Sequence, residues 1–158
     1  MKNTILIKWN ELQQQIDLKN YYMGESVKRK ELDADTIQSS KDDKELLLMF
    51  ASEATNELVT AVALRFPYIS WDVEGNYISV SFETNDNSKE HLLPMLKQAM
   101  TDYIVNETIM QWLLLRQPQM AQTNISLRGN LYSNVQQLFA KLYNRKKVRR
   151  RATDLAGI

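Results

Sequence analysis

Residues 89–116 read KEHLLPMLKQAMTDYIVNETIMQWLLLR. Leu92, Leu96, Ala99, Met100, Tyr103, Met110 and Leu114 recur at helical spacing and form one stripe. Leu93, Ile104, Thr108, Trp112 and Leu115 form a second. A helix with apolar residues on nearly every side must be buried between neighbours. Pro94 falls in its first turns, where a missing N–H is tolerated, and Pro118 breaks it. The stretch therefore predicts a helix enclosed by other helices, and the remaining sequence has to supply them.

Downstream, residues 119–146 read as a fourth helix, with Leu131, Val135, Leu138 and Leu142 on one stripe flanked by Tyr132, Phe139 and Tyr143. Gly129 and Thr123-Asn124 weaken its first half. Upstream, the period changes. Tyr68–Val73 and Tyr77–Phe82 are rich in β-branched and aromatic residues, and Ile78, Val80 and Phe82 alternate with Ser79 and Ser81. Glu74-Gly75-Asn76 supplies a turn, so a β-hairpin is expected over about 68–83. An isolated hairpin is marginal in water and must lean on helices or on another copy.

A second helix is expected over 43–66, capped by Ser39 or Ser40, with Asp42, Asp43 and Glu45 in its first turn and Pro67 at its end. Leu47, Phe50, Ala51, Ala54, Leu58, Ala61 and Val62 make its stripe. Residues 1–22 read as a first helix through Ile5, Leu6, Trp9, Leu12 and Ile16, with the first few residues able to be extended and Gly24 placed to end it. Residues 25–40 are polar and read as a long loop. The expected fold is thus mainly α: a four-helix bundle of long helices with one β-hairpin inserted between helices 2 and 3. A single helical domain covers 1–147, and a basic tail covers 148–158.

The chain has 158 residues, no Cys and one His. That length suits one domain with a real core. Without Cys there are no disulfides, thiol nucleophiles or thiolate-bound metals. The apolar runs are too short for a signal-peptide core or a bilayer span, so no membrane partner is expected and the chain is expected to be cytoplasmic at synthesis. No Gly-rich phosphate loop and no Gly-x-Ser-x-Gly motif occurs. His91 opens the third helix without a partner that would make it a general base. Asp42/Asp43 and Glu53/Glu57 read as solvated faces, since no Glu-x-x-His pattern accompanies them. No catalytic residue, cofactor or metal is assigned.

The net charge of +1 conceals segregation. Residues 41–100 hold five cations against ten anions. Residues 141–158 hold Lys141, Arg145, Lys146, Lys147, Arg149, Arg150 and Arg151 against Asp154 alone. Such a block fits an anionic partner, either nucleic acid bound without sequence specificity or an acidic protein face. A solvated helix end is the third reading. Among the aromatics, Tyr21, Tyr22, Trp71 and Tyr77 are candidate subunit-interface residues, because Tyr and Trp are enriched there.

The order of four features resembles the head–tail connector (adaptor, neck ring) proteins of tailed bacteriophages and prophages. They are the helix ending Leu64-Arg65-Phe66 before a short β segment, the helix with Asp102-Tyr103-Ile104-Val105 and Gln111-Trp112-Leu113-Leu114, the new helix after Pro118, and the ending Leu138-Phe139-Ala140-Lys141-Leu142-Tyr143-Asn144-Arg145-Lys146-Lys147-Val148-Arg149-Arg150. The resemblance covers about residues 41–151; residues 1–40 match less well, and Val148 stands where Pro often follows. It implies a non-enzymatic virion structural protein at the neck, forming a ring, usually of twelve copies, between the portal protein and the next tail component. Genomic DNA would pass through the centre, and Arg145–Arg151 would dock on the portal or a neighbouring subunit. The competing reading is a small nucleic-acid-binding protein that uses the basic C-terminal segment.

Overall fold

The computed structural model describes residues 2–29, 43–66, 69–73, 77–83 and 87–143. In chain order these form β1 (Lys2–Lys8), α1 (Trp9–Arg29), α2 (Lys44–Arg65), β2 (Ser70–Val73), β3 (Tyr77–Glu83), α3 (Leu93–Arg116) and α4 (Gln122–Tyr143), with 3₁₀ turns at Asn87–Leu92 and Pro118–Ala121. The protein is mainly helical, with four helices and a three-stranded antiparallel sheet. Arg145–Arg151, the 148–158 tail, Ser39 and Ser40 lie outside the described residues.

The N-terminus corrects the sequence reading. Residues 2–8 are not the start of a helix but a strand, and α1 begins at Trp9 and runs through Gly24 to Arg29. β1 pairs antiparallel with β3, Ile5 opposite Val80 and Ile7 opposite Ile78. β2 pairs antiparallel with the other edge of β3, Trp71 opposite Val80. The sheet order is therefore β1-β3-β2, and β3 is central rather than half of a lone hairpin. The alternation of β3 puts Ile78, Val80 and Phe82 inward, where Ile5 and Ile7 join them. The outer face carries Thr4, Ser79 and Ser81 around exposed Leu6, with Thr4 Oγ1 and Ser81 Oγ sharing a hydrogen bond at 3.1 Å.

α3 is the centre of the helical layer, and α1, α2 and α4 each pack against it. Every residue from Tyr103 to Met110 is buried, a run that includes Asn106, Glu107 and Thr108. The helix starts at Leu93, later than the sequence suggested, with Pro94 in its first turn and a 3₁₀ turn before it. α2 ends at Arg65, and extended Phe66 sends its N–H back to the Val62 carbonyl. Asp43 stands at the N-cap of α2 but makes no side-chain cap. Its carboxylate instead meets Arg116 at 3.4 Å, while the Arg116 guanidinium lies over the Trp112 ring. α2 is long and apolar enough to cross a bilayer by length and composition alone. In the fold its Leu47, Phe50, Ala51, Ala54, Leu58, Val59 and Val62 are buried in the domain.

Sheet and helices are joined by an aromatic cluster. Phe82 of β3 meets Phe139 of α4 edge-on at 5.4 Å between centroids, and Phe66 after α2 lies 5.2 Å from Tyr143 and 6.1 Å from Phe139. Such ring pairs add about 0.5–1.5 kcal/mol beyond their area burial. Burial pushes the Tyr143 phenol up to about 12, with Glu83 adding to the rise.

Candidate interaction surfaces

Helix α4 is held in two different ways. Its C-terminal half buries Val135, Leu138, Phe139 and Leu142. Between Gln122 and Asn130 only Asn124 is buried, and Ile125 and Leu127 are exposed. Polar contacts fix this first half instead. Asn124 Nδ2 donates to Asn106 Oδ1, and Asn106 Nδ2 donates to the Asn124 carbonyl, both at 3.0 Å. The reciprocal pair satisfies two buried amides at once and sets the register of α4 on α3.

One turn further on, Arg128 Nε lies 2.8 Å from Glu107 Oε1, and its terminal nitrogen lies 3.8 Å from Glu57 of α2. Glu107 is buried to 2% exposure. Its approach to Arg128 is a charge contact without the alignment of a directed hydrogen bond. Burial raises the Glu107 carboxyl above its usual range and Glu57 adds to this, while Arg128 opposes both. Glu107 in turn holds Arg128 charged. Burial is also the first cause of the raised Tyr103 phenol, with Glu107 next. A shallow cavity of about 370 Å³ beside the cluster is lined by Tyr103, Ile125, Arg128, Gly129 and Tyr132. Sequence reading missed this cluster. The available signal was a lone Glu107 inside an apolar run with its charge partner 21 positions away, and spacing alone does not connect the two.

A larger groove of about 420 Å³ runs between the first half of α3 and the second half of α4. Met95, Ala99, Leu131 and Leu138 make its apolar part, and Asp102 and Lys141 are among its polar members. Gln98 Nε2 donates to Asp102 at 2.8 Å. Lys141 is thus the one member of the expected basic segment that lies among the described residues, and it lines this groove.

The other predicted residues fall in separate places. Tyr21 and Tyr22 are exposed on α1 and meet edge-on at 5.9 Å, with exposed Leu18 beside them. Trp71 is half-buried on β2 and donates its indole N–H to Asn56 Oδ1 of α2 at 2.8 Å. Tyr77 is half-buried at the start of β3, opposite Lys8. The structure does not bring these four into one patch: Trp71 is engaged with α2, and Tyr21 and Tyr22 face solvent on α1. His91 is exposed in the 3₁₀ turn before α3. Among the described residues no group of three or more His, Asp or Glu side chains is placed to hold a metal ion.

Further apolar side chains are exposed, Leu114 and Leu115 next to each other at the end of α3, and Ile125 and Leu127 on opposite sides of α4. Scattered exposed apolar residues are ordinary, whereas grouped ones mark contact surfaces. No family model, curated protein or solved structure matches the chain.

Proposed function

We propose that the protein is a non-enzymatic structural subunit that assembles with copies of itself, in the manner of the head–tail connector of a tailed phage. In this reading the four helices act as one bundle, the β2–β3 hairpin serves as a bridging element, and the ring sits between portal and tail with DNA passing through it. The observation that carries the reading is the exposure of apolar side chains on different elements, Leu18, Tyr21 and Tyr22 on α1, Leu114 and Leu115 on α3, and Ile125 and Leu127 on α4. Surfaces that differ from one another suit head-to-tail contact, which closes into a ring when the rotation permits. Buried Glu107 fits the same reading, because it is engaged by exposed Arg128, which also reaches exposed Glu57, so the three tie three helices together. Many weak contacts repeated around a ring add up by multivalency.

Native mass spectrometry of the full chain, alone and with purified portal rings, tests this. Multi-copy assemblies, or stoichiometric decoration of the portal, are expected. A strictly monomeric protein that never joins the portal refutes it. The segregated charge at 141–158 keeps one other reading in view. A salt-steep DNA affinity that disappears when Arg145–Arg151 are neutralised, in a protein that does not assemble, identifies a nucleic-acid-binding protein instead.

A further inference from the structure

We infer that the first half of α4, residues 122–130, is a strap that opens on its own while the rest of the domain stays folded, with the pairs Asn106–Asn124 and Glu107–Arg128 as its clasp. The inference rests on the fold and goes beyond the assembling-subunit reading, on which it does not depend.

The seam of α4 carries the distinction between its halves. In the second half, Val135, Leu138 and Leu142 recur at steps of three and four and are buried. Counted back by the same steps, the seam passes through half-buried Leu131 to Arg128 and Asn124. The two positions that anchor the first half to α3 therefore carry polar side chains, and they meet the polar side chains of Glu107 and Asn106. Around them, each of the six residues 125–130 is exposed. At about 100° per residue such a run sweeps more than a full turn, so no side of it is turned into the core. Burial stabilises in proportion to the apolar area removed from water, and no apolar side chain of residues 122–130 is buried.

The packing around the strap agrees. A cavity of about 370 Å³ lies against it, lined by Tyr103, Ile125, Arg128, Gly129 and Tyr132, whereas a rigid contact is close-packed. Gly129 lies within the strap, and glycine weakens a helix interior. Buried Ala121 and Val135 pin the chain on either side. Opening thus unwinds about two turns between fixed ends and leaves the contacts of Phe139 with Phe66 and Phe82 in place.

What opening uncovers is polar. Water takes over the hydrogen bonds of Asn106 and Asn124, whose burial is tolerated only while they are paired. Glu107 Oε1 lacks an aligned hydrogen bond even when the strap is closed. The strap is therefore held by pairings that water can replace, and the second half by apolar contacts that water cannot. Segments of that kind open below the threshold of global unfolding.

Native-state hydrogen exchange on the full chain, followed residue by residue across low urea concentrations, tests this. The amides of residues 126–130 are expected to exchange at least about a hundredfold faster than those of 138–142. Their exchange should also depend much less on urea, because a local opening exposes little surface. Asn124→Ala and Arg128→Met are each expected to speed exchange in the strap about tenfold or more while keeping that weak dependence. Gly129→Ala, with open space for its Cβ, is expected to slow it roughly two- to fivefold, and it serves where a clasp variant does not fold. One rate and one urea slope for both halves of α4 overturns the inference, because α4 then opens only with the whole domain. Strap exchange that responds neither to the clasp changes nor to Gly129→Ala overturns it as well. Neither result bears on oligomeric state, so the assembling-subunit reading stands or falls separately.

Discussion

Replacing Arg128 by Met keeps an aliphatic stem on α4 and withdraws the cation that lies 2.8 Å from buried Glu107. At that distance the attraction is about 1.5 kcal/mol in a bulk-water dielectric and about 6 kcal/mol at an effective dielectric of ~20. The Arg128 side chain is 47% exposed, which places the pair toward the lower figure. Breaking a fully buried pair costs about 3–5 kcal/mol, so a cost of about 2–3 kcal/mol is expected here at about pH 8. Glu107 can escape by taking up a proton, and its carboxyl is already raised by burial. The folded state then binds that proton more tightly than the unfolded chain. Stability is therefore greatest below the ordinary carboxylate range and falls as pH rises toward the folded value. Arg128→Met lifts the folded value further and extends the window of loss upward. Urea unfolding of Arg128→Met is thus expected to show a midpoint lower by about 1 M at about pH 8 and a loss of under about 1 kcal/mol at about pH 5. Adding Glu107→Gln removes the stranded charge and should recover most of the loss at high pH. A cost for Arg128→Met that is the same at both pH values, or that Glu107→Gln leaves untouched, refutes the assignment of the cluster as a coupled pair.

The Asn106–Asn124 exchange predicts that either residue changed to Ala strands its partner and costs about 1–3 kcal/mol by chemical denaturation, whereas changing both to Leu costs less than the sum. Asn20 is 1% exposed with neither amide atom partnered, so Asn20→Leu should stabilise the fold by about 1 kcal/mol in a thermal melt. Gly129 sits in α4 with open space where a Cβ would go, and Gly129→Ala is expected to add about 0.5–1 kcal/mol by the same measurement. The Tyr143 phenol, raised to about 12, should give a late step in an ultraviolet titration that Tyr143→Phe removes. Because the folded state keeps that proton longer, its contribution to stability is complete below the ordinary phenol range and is lost as pH climbs to about 12.

The elements that could be read along the chain are those whose signals are local. Pro67 and Pro118 punctuate α2 and α3 because proline removes a donor and constrains the residue before it, and both helices stop beside them. The alternation Ile78-Ser79-Val80-Ser81-Phe82 is a strand pattern in any context, and β3 follows it. Residues 2–8 were open to two readings. Ile5, Leu6 and Ile7 fit a helical stripe that continues to Trp9 and Leu12, and they also fit a strand with Ile5 and Ile7 inward and Leu6 outward. Pairing with β3, some 75 positions away, settles the matter in favour of the strand. Gly24 did not end α1, which runs on to Arg29; a glycine inside a helix costs only about 1 kcal/mol, a preference that a helix can override.

From the amino-acid sequence alone came a helical protein with one β region, the burial of the third helix through its middle, Tyr103 to Met110, and the accumulation of charge at the C-terminus. Each of these is a property of neighbours in the chain, carried by periodicity, proline and composition. Tertiary structure alone decided that the N-terminus completes a three-stranded sheet and that Glu107 is matched by Arg128. Those outcomes depend on which distant segments share a face, because burial and charge pairing act through space.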